Sequence, residues 1–322
     1  MTAPTDSTSL ELTVEHRSVP ADGVVLLELT AADGAELPGW EPGAHLELLL
    51  PSGLRRQYSL CGDPRNRNTY VLCVLREETG RGGSVEVHDR LRVGDVLVAS
   101  RPRNHFALAD APEHVLLAGG IGITPIKAML DELDRRGSSW RLVYGGRTRA
   151  AMAFAEELAR THPDRVLLVP EDEQGRPDVE RLVTELPPDA HLHCCGPAPM
   201  LDAVAQACAR AGVAHRLHVE RFAASGDAPA ATGDAEFEVE LRETGVTVTV
   251  AADRSLLSAV QDVRPDIPSS CQEGYCGTCE TRVLDGRPDH RGTLLSPEEH
   301  DDEGTMLICV GRSRSPKLVL DL

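Results

Sequence analysis

Short apolar runs broken by Gly and Pro fill the first hundred residues. Thr13 to Leu29, His45 to Pro51, Tyr58-Ser59-Leu60, Tyr70 to Arg76, Ser84 to His88 and Asp95 to Ala99 all read as β-runs. Many short strands separated by turn residues predict a small antiparallel β-barrel. Beyond about residue 110 the rhythm changes. Val115-Leu116-Leu117-Ala118 leads through Gly119-Gly120-Ile121-Gly122-Ile123-Thr124-Pro125 into Ile126 to Leu133, which has helical spacing. Trp140 to Gly146, Val166 to Val169 and His191 to Gly196 read as further strands, with a helix near Ala151 to Arg160. Alternating β and α elements predict a doubly wound parallel α/β sheet that binds ligands at the carboxyl ends of its strands.

A third pattern follows a run of small residues, Gly and Pro from Ala223 to Ala235, which reads as a flexible linker. Glu236 to Leu241 and Val246 to Val250 alternate at period two about Glu243-Thr244-Gly245 and predict a hairpin, and Ser255 to Val263 has helical spacing. These elements suit a β-grasp, ferredoxin-like α+β domain. The chain therefore divides into a barrel domain (1–110), an α/β domain (111–222), a linker (223–235) and a β-grasp domain (236–322). No internal repeat is visible.

The last domain carries the most specific chemistry. Cys271, Cys276 and Cys279 are separated by four and two residues, and Cys309 follows after a long interval. That is the plant-type ferredoxin spacing for a 2Fe-2S cluster. Gly274 and Gly277 permit the positive φ angles that bend three thiolates around one core, and Ser269, Ser270 and Thr278 are donors able to tune it. A four-cysteine zinc site favours two close Cys-x-x-Cys pairs, and a disulfide pair needs an oxidising compartment. The chain has nine cysteines, an odd number, and the other five lie in apolar or catalytic-looking segments rather than in a disulfide framework. With no secretory signal at the start and no apolar run of membrane-spanning length, the expected location is the cytoplasm, away from any membrane.

The glycine turn at 119–125 adds a second site. Gly119, Gly120 and Gly122 let a pyrophosphate approach the backbone, while Thr124 opens a helix whose free N-H groups and dipole favour an anion. By itself such a turn also serves as a tight βα connection. Net charge changes the picture less. At −18 the chain excludes a nucleic-acid binder, which needs clustered Lys and Arg, and it suits either solubility or docking on a basic protein.

Arg56-Gln57-Tyr58-Ser59-Leu60, Gly80-Arg81-Gly82-Gly83-Ser84, the glycine turn, Cys194-Cys195-Gly196-Pro197 and the cysteine cluster, in that order, resemble the phthalate dioxygenase reductase family. The resemblance covers essentially the whole chain. It implies an FMN-binding barrel, a nicotinamide-nucleotide domain and a ferredoxin domain passing electrons from NADH to an oxygenase. It further implies that Arg56, Tyr58 and Ser59 lie along the flavin, with Ser59 near its reactive nitrogen, and that Val74 contacts the ring edge through its backbone. Arg81, Gly82, Gly83 and Ser84 would hold the flavin phosphate. Phe222 would return to pack on the flavin, and Cys195, beside Gly196, would orient the nicotinamide; a buried Cys is otherwise inert filler. His88 and His105 stand at no metal-ligand spacing and read as structural.

Order of cofactors then dictates function. A nicotinamide gives up two electrons together and a 2Fe-2S cluster accepts one, so a flavin must stand between them. The expected partner is an oxygenase component, Rieske-type or haem-thiolate, and the chain itself is expected to be a monomer. A non-catalytic flavin and iron-sulfur redox sensor is the other class, though it leaves the nucleotide motif without use. NADH against NADPH is less defined. No carboxylate follows Arg147 in Gly145-Gly146-Arg147-Thr148-Arg149, and Arg149 offers a positive charge to a 2′-phosphate, so NADPH is expected to be tolerated alongside NADH.

Overall fold

Alternation along β1 (Ser9–Ala21) and β2 (Val24–Ala31) buries Leu12, Val14, Val25, Leu27 and Leu29 on one face, as the two-residue period of a strand requires. The two strands occupy what reads in sequence as a single run, and Asp22-Gly23 turns the chain between them with Gly23 at φ 70. This is a computed structural model, which describes residues 9–80, 82–222, 234–269, 272, 274–275, 277–292, 294–295 and 297–322. The chain forms two units, Met1–Phe222 and Ala223–Leu322.

In the first unit β3 (Ala44–Leu49), β4 (Arg55–Ser59), β5 (Tyr70–Leu75), β6 (Val96–Ser100) and β7 (Arg103–Asn104) complete an antiparallel sheet of order β4-β3-β6-β1-β2-β5, with β7 on β3. A bridge between Leu60 and Leu72 brings the two end strands together and curls the sheet into a barrel. Ser84 to His88 departs from expectation: it lies in a helix, α1 (Gly83–Arg90). Its alternating valines mimic a strand, but Val87 and Leu91, four residues apart, both enter the barrel core, which is the helical spacing.

β8 (Glu113–Gly119), α2 (Ile123–Arg136), β9 (Ser139–Gly146), α3 (Ala155–Thr161), β10 (Val166–Pro170), α4 (Glu171–Gln174), α5 (Val179–Thr184), β11 (Ala190–Cys195), α6 (Ala198–Arg210) and β12 (Leu217–Glu220) form the α/β part. All five strands are parallel, in the order β10-β9-β8-β11-β12. Successive residues of β8 serve opposite faces. Leu116 and Ala118 pack with Ile126, Met129 and Leu133 of α2, whereas Val115 and Leu117 pack with Leu201 and Val204 of α6. The α2 side also takes in Val24, Cys61 and Cys73 of the barrel, so one apolar core is shared between barrel and α/β sheet.

The second unit contains β13 (Phe237–Leu241), β14 (Val246–Val250), α7 (Leu256–Gln261), β15 (Glu280–Asp285), β16 (Pro288–Asp289), α8 (Pro297–Glu303), β17 (Thr305–Leu307), β18 (Arg312–Ser313) and β19 (Lys317–Leu320). The expected hairpin is present, with Phe237 opposite Val250 and Leu241 opposite Val246. β19 joins β13 in parallel, and the sheet runs β14-β13-β19-β15-β17. Leu256, Leu257 and Val260 of α7 cover it, giving the β-grasp form. Among the described residues no helix is long and apolar enough to cross a membrane.

Candidate functional site

Barrel strand β4 presents Arg56, Tyr58 and Ser59. The Tyr58 hydroxyl is enclosed with no partner among the described residues, and burial raises its pKa far above the ordinary tyrosine range. Gly82, at φ 78, precedes α1. A Cβ on Gly83 would stand 2.5 Å from Arg56 Cγ, so the Arg56 side chain lies directly over that glycine. Arg56 Nη1 donates to the Arg55 carbonyl at 2.7 Å, and Ser84 Oγ accepts from the Glu77 N-H at 3.0 Å. A cation laid over an open glycine turn, with an orphaned hydroxyl nearby, fits a phosphate-bearing aromatic cofactor. The Val74 carbonyl accepts from His88 Nε2 at 2.9 Å, which accounts for His88 structurally. Arg81 lies outside the described residues.

Glycines at the carboxyl ends of β8 and β11 make room for the nucleotide. A Cβ on Gly122 would fall 2.2 Å from the Cys195 carbonyl oxygen, and one on Gly196 would fall 2.9 Å from Gly119 Cα. Only glycine lets these two strand ends and the start of α2 approach so closely. Gly120 has φ 55 with open space over it. Thr124 Oγ1 donates to the Ile121 carbonyl at 3.0 Å, fastening the turn. On the next strand end Arg147 is exposed and its carbonyl accepts from the Asp172 N-H at 3.2 Å. Arg149 is ion-paired through Nε with Glu156 Oε1 at 3.0 Å.

Cys195 and Glu220 stand opposite each other on β11 and β12. Ser59 Oγ donates to Glu220 Oε2 at 3.4 Å, and the Cys195 thiol donates to the same oxygen at 3.9 Å. Desolvation pushes the Glu220 carboxyl up to about 8, against the hydrogen bonds from Ser59 and Cys195. The Cys195 thiol, fully buried, is pushed well above its ordinary value chiefly by desolvation. It is therefore a neutral thiol, unsuited to nucleophilic attack. Glu220 was not legible as a site residue: in His218-Val219-Glu220-Arg221-Phe222 it reads as one polar residue of a closing strand, and only its pairing with Cys195 marks it. Phe222 follows it and is 36% exposed.

In the second unit Cys279 and Cys309 are both buried, and the Ile308 N-H donates to the Cys279 carbonyl at 3.4 Å, holding their segments together. Gln272, Gly274 and Gly277 have φ 55, 76 and 72, the left-handed turns that a tight thiolate loop needs. Ser269 Oγ accepts from Gln261 Nε2 at 3.2 Å, and Thr278 is buried. Soft thiolate donors on a tightly turned loop fit an iron-sulfur cluster. Cys271, Cys276 and Ser270 lie outside the described residues.

Residues 116–206 match the oxidoreductase NAD-binding domain family and residues 239–313 match the 2Fe-2S iron-sulfur cluster binding domain family. Over 325 residues, and all of both chains, the protein is 43% identical to the phenoxybenzoate dioxygenase subunit beta of Ectopseudomonas oleovorans. It is similar to the solved phthalate dioxygenase reductase, described as a modular structure for electron transfer from pyridine nucleotides to [2Fe-2S], at 35% identity and TM-score 0.72 over 98% of each chain. All of it also matches part of an intact type IV self-sufficient cytochrome P450 monooxygenase, at 37% identity and TM-score 0.88, and it spans 43% of that longer chain. The chain belongs to the phthalate dioxygenase reductase family.

Proposed function

We propose that this reductase draws electron pairs from NADH or NADPH and delivers them singly, by way of FMN and a 2Fe-2S cluster, to an oxygenase component. The observation that carries this reading is the meeting of Ser59, from the barrel, with Cys195 and Glu220, from the carboxyl edge of the nucleotide sheet. FMN held there would supply the two-to-one electron chemistry between a hydride donor and a one-electron cluster, with Ser59, Cys195 and Glu220 lining its site.

The residues do the rest. Gly119, Gly120, Gly122, Thr124 and Gly196 shape the pyrophosphate turn, while Arg147 and Arg149 sit where the adenosine ribose ends. Arg56 and the 81–84 turn hold the flavin phosphate, Tyr58 and Phe222 flank its ring and the Val74 backbone borders its edge. Cys195 orients the nicotinamide. Protonated at neutral pH, Glu220 sets no negative charge against an incoming hydride. Cys271, Cys276, Cys279 and Cys309 ligate the cluster.

The division into a flavin barrel (1–110), a nucleotide domain (111–222), a linker (223–235) and a ferredoxin domain (236–322) belongs to the same reading. So do a monomeric state and a cytoplasmic location. The oxygenase is Rieske-type; similarity to part of a self-sufficient cytochrome P450 monooxygenase chain supports a haem-thiolate partner as the second reading, and co-purification with the acceptor separates them.

Cys276→Ser tests the order of electron flow. It should abolish cytochrome c reduction while ferricyanide reduction, which flavin alone serves, persists; equal loss of both would overturn the reading. Denatured protein should release FMN, and chromatography showing mainly FAD would refute the cofactor assignment.

A further inference from the structure

His45 sits on β3 directly opposite Ser59 of β4. Opposed residues of an antiparallel pair point to the same face with Cβ atoms about 4.5–5.5 Å apart, so His45 and Ser59 share the face from which Ser59 reaches Glu220. His45 is 6% exposed, and its Nε2 is buried with no hydrogen-bond partner among the described residues. The His45 ring also lies 5.6 Å from that of His105, and His105 is exposed. Four exchangeable groups, Glu220, Ser59, His45 and the surface imidazole of His105, are thus neighbours in turn.

The reaction requires such a line. Each hydride taken from the nicotinamide is one proton and two electrons; the electrons go on to the acceptor, and the proton must reach solvent. Hydride transfer demands close ring contact, which excludes water from the nicotinamide side of the site. The geometry points to His45 as the proton exit of this reductase, relaying from Ser59 and Glu220 to His105. This rests on Ser59 and Glu220 being the hydride site.

The transfer balances without any further reactant. Glu220 takes up the proton left by the hydride as it passes its own to Ser59. Ser59 in turn gives one to the unprotonated nitrogen of His45, which releases one from its other nitrogen, as a neutral imidazole is able to do. The groups around the ring keep it neutral between passes. Burial, then the charges of His105 and of Arg103, its partner on β7, push His45 down to about 4. Glu47, two residues along the same face, is held in an ion pair with Arg55 at 3.1 Å.

The test is a single turnover of the holoenzyme with NADH and excess ferricyanide, in weak buffer with a pH-indicator dye, recording proton release beside ferricyanide reduction. In His45→Phe proton release should fall behind electron delivery by about tenfold or more, and added imidazole should restore it. The exposed His105→Ala should show a smaller lag with the same buffer rescue, and it serves if His45→Phe does not fold. Proton release that keeps pace with electron delivery in the folded variants overturns the relay. Glu220→Gln distinguishes the two levels: if it leaves hydride transfer unchanged, the hydride site itself is misplaced, whereas slowed transfer with no lag in either histidine variant refutes His45 alone.

Discussion

The Ser59 hydroxyl donates to Glu220 Oε2 across 3.4 Å, joining residues 161 positions apart. This contact ties the barrel to the last strand of the nucleotide sheet, and on its own it would favour the Glu220 charge; burial outweighs it. Desolvation lifts the carboxyl from an ordinary value of 4.5 to about 8. A carboxyl raised on folding contributes stability below pH 4.5 that is lost as pH rises toward 8. The slope is about 1.4 kcal/mol per pH unit for one group. Glu220→Gln should therefore flatten the urea midpoint between pH 5 and 8 and be the more stable protein at pH 8. An unchanged slope would show that the carboxyl ionises freely.

A second titration works in the opposite direction. His114, His191, His193 and His218 lie on three adjacent strands, with rings stacked at 5.1 Å (His191 and His218) and 4.6 Å (His193 and His218). Burial pushes His193 down to about 2, with His218, His114 and His191 adding to it, and burial also lowers His114 and His218. Arg136 opposes and Asp110 favours protonation of His114. Rings lowered on folding contribute stability above pH 6.5 that is lost as pH falls below it. Chemical denaturation from pH 7.5 to 5 should show a steep acid loss, and His218→Phe should make that loss shallower.

Gly122→Ala should damage the nucleotide site from beneath. The new methyl group would meet the Cys195 carbonyl at 2.2 Å, a backbone atom that has no rotamer to escape by. Overpacking of this kind costs about 1–3 kcal/mol. The expected result is a lower thermal midpoint together with weakened NADH binding, read by titration of the oxidised protein with nucleotide. Gly120→Ala, with open space over its Cβ position but φ 55, should cost less.

Nucleotide choice is expected to depend on the Arg149–Glu156 pair, 3.0 Å apart. Glu156 is largely in water and Arg149 about half so, a setting in which such a pair is weak, so Arg149 is able to turn toward a 2′-phosphate. Arg149→Ala should lower kcat/KM for NADPH about tenfold more than for NADH, the equivalent of about 1.4 kcal/mol, and Glu156→Gln should favour NADPH. Steady-state kinetics with both nucleotides decide it: selectivity untouched by either variant would show that this arginine does not read the 2′ position.

Local signals in the sequence determined a great deal. The spacing of Cys271, Cys276 and Cys279, the glycines of 119–122, and the period-two hairpin at 237–250 are short-range patterns, because each reflects what one loop or strand pair requires of its own backbone. Where two local patterns coincide, the sequence misleads: Ser84 to His88 alternates like a strand, and only the barrel core, by taking Val87 and Leu91 together, made it a helix. Contacts between distant segments carry no such signature. Glu220 becomes a neutral acid because packing of β12 beside β11 desolvates it, outweighing the hydrogen bonds from Ser59 and Cys195. His45 faces Ser59 because β3 pairs with β4 in one register, and a slip of one residue would turn it to the other face. Four histidines scattered over a hundred positions become one cluster because β8, β11 and β12 are neighbours. The cluster and the nucleotide turn were written in local spacing and the flavin in the family resemblance, whereas Glu220 and His45 owe their properties to burial and strand order, which exist only once the chain has folded.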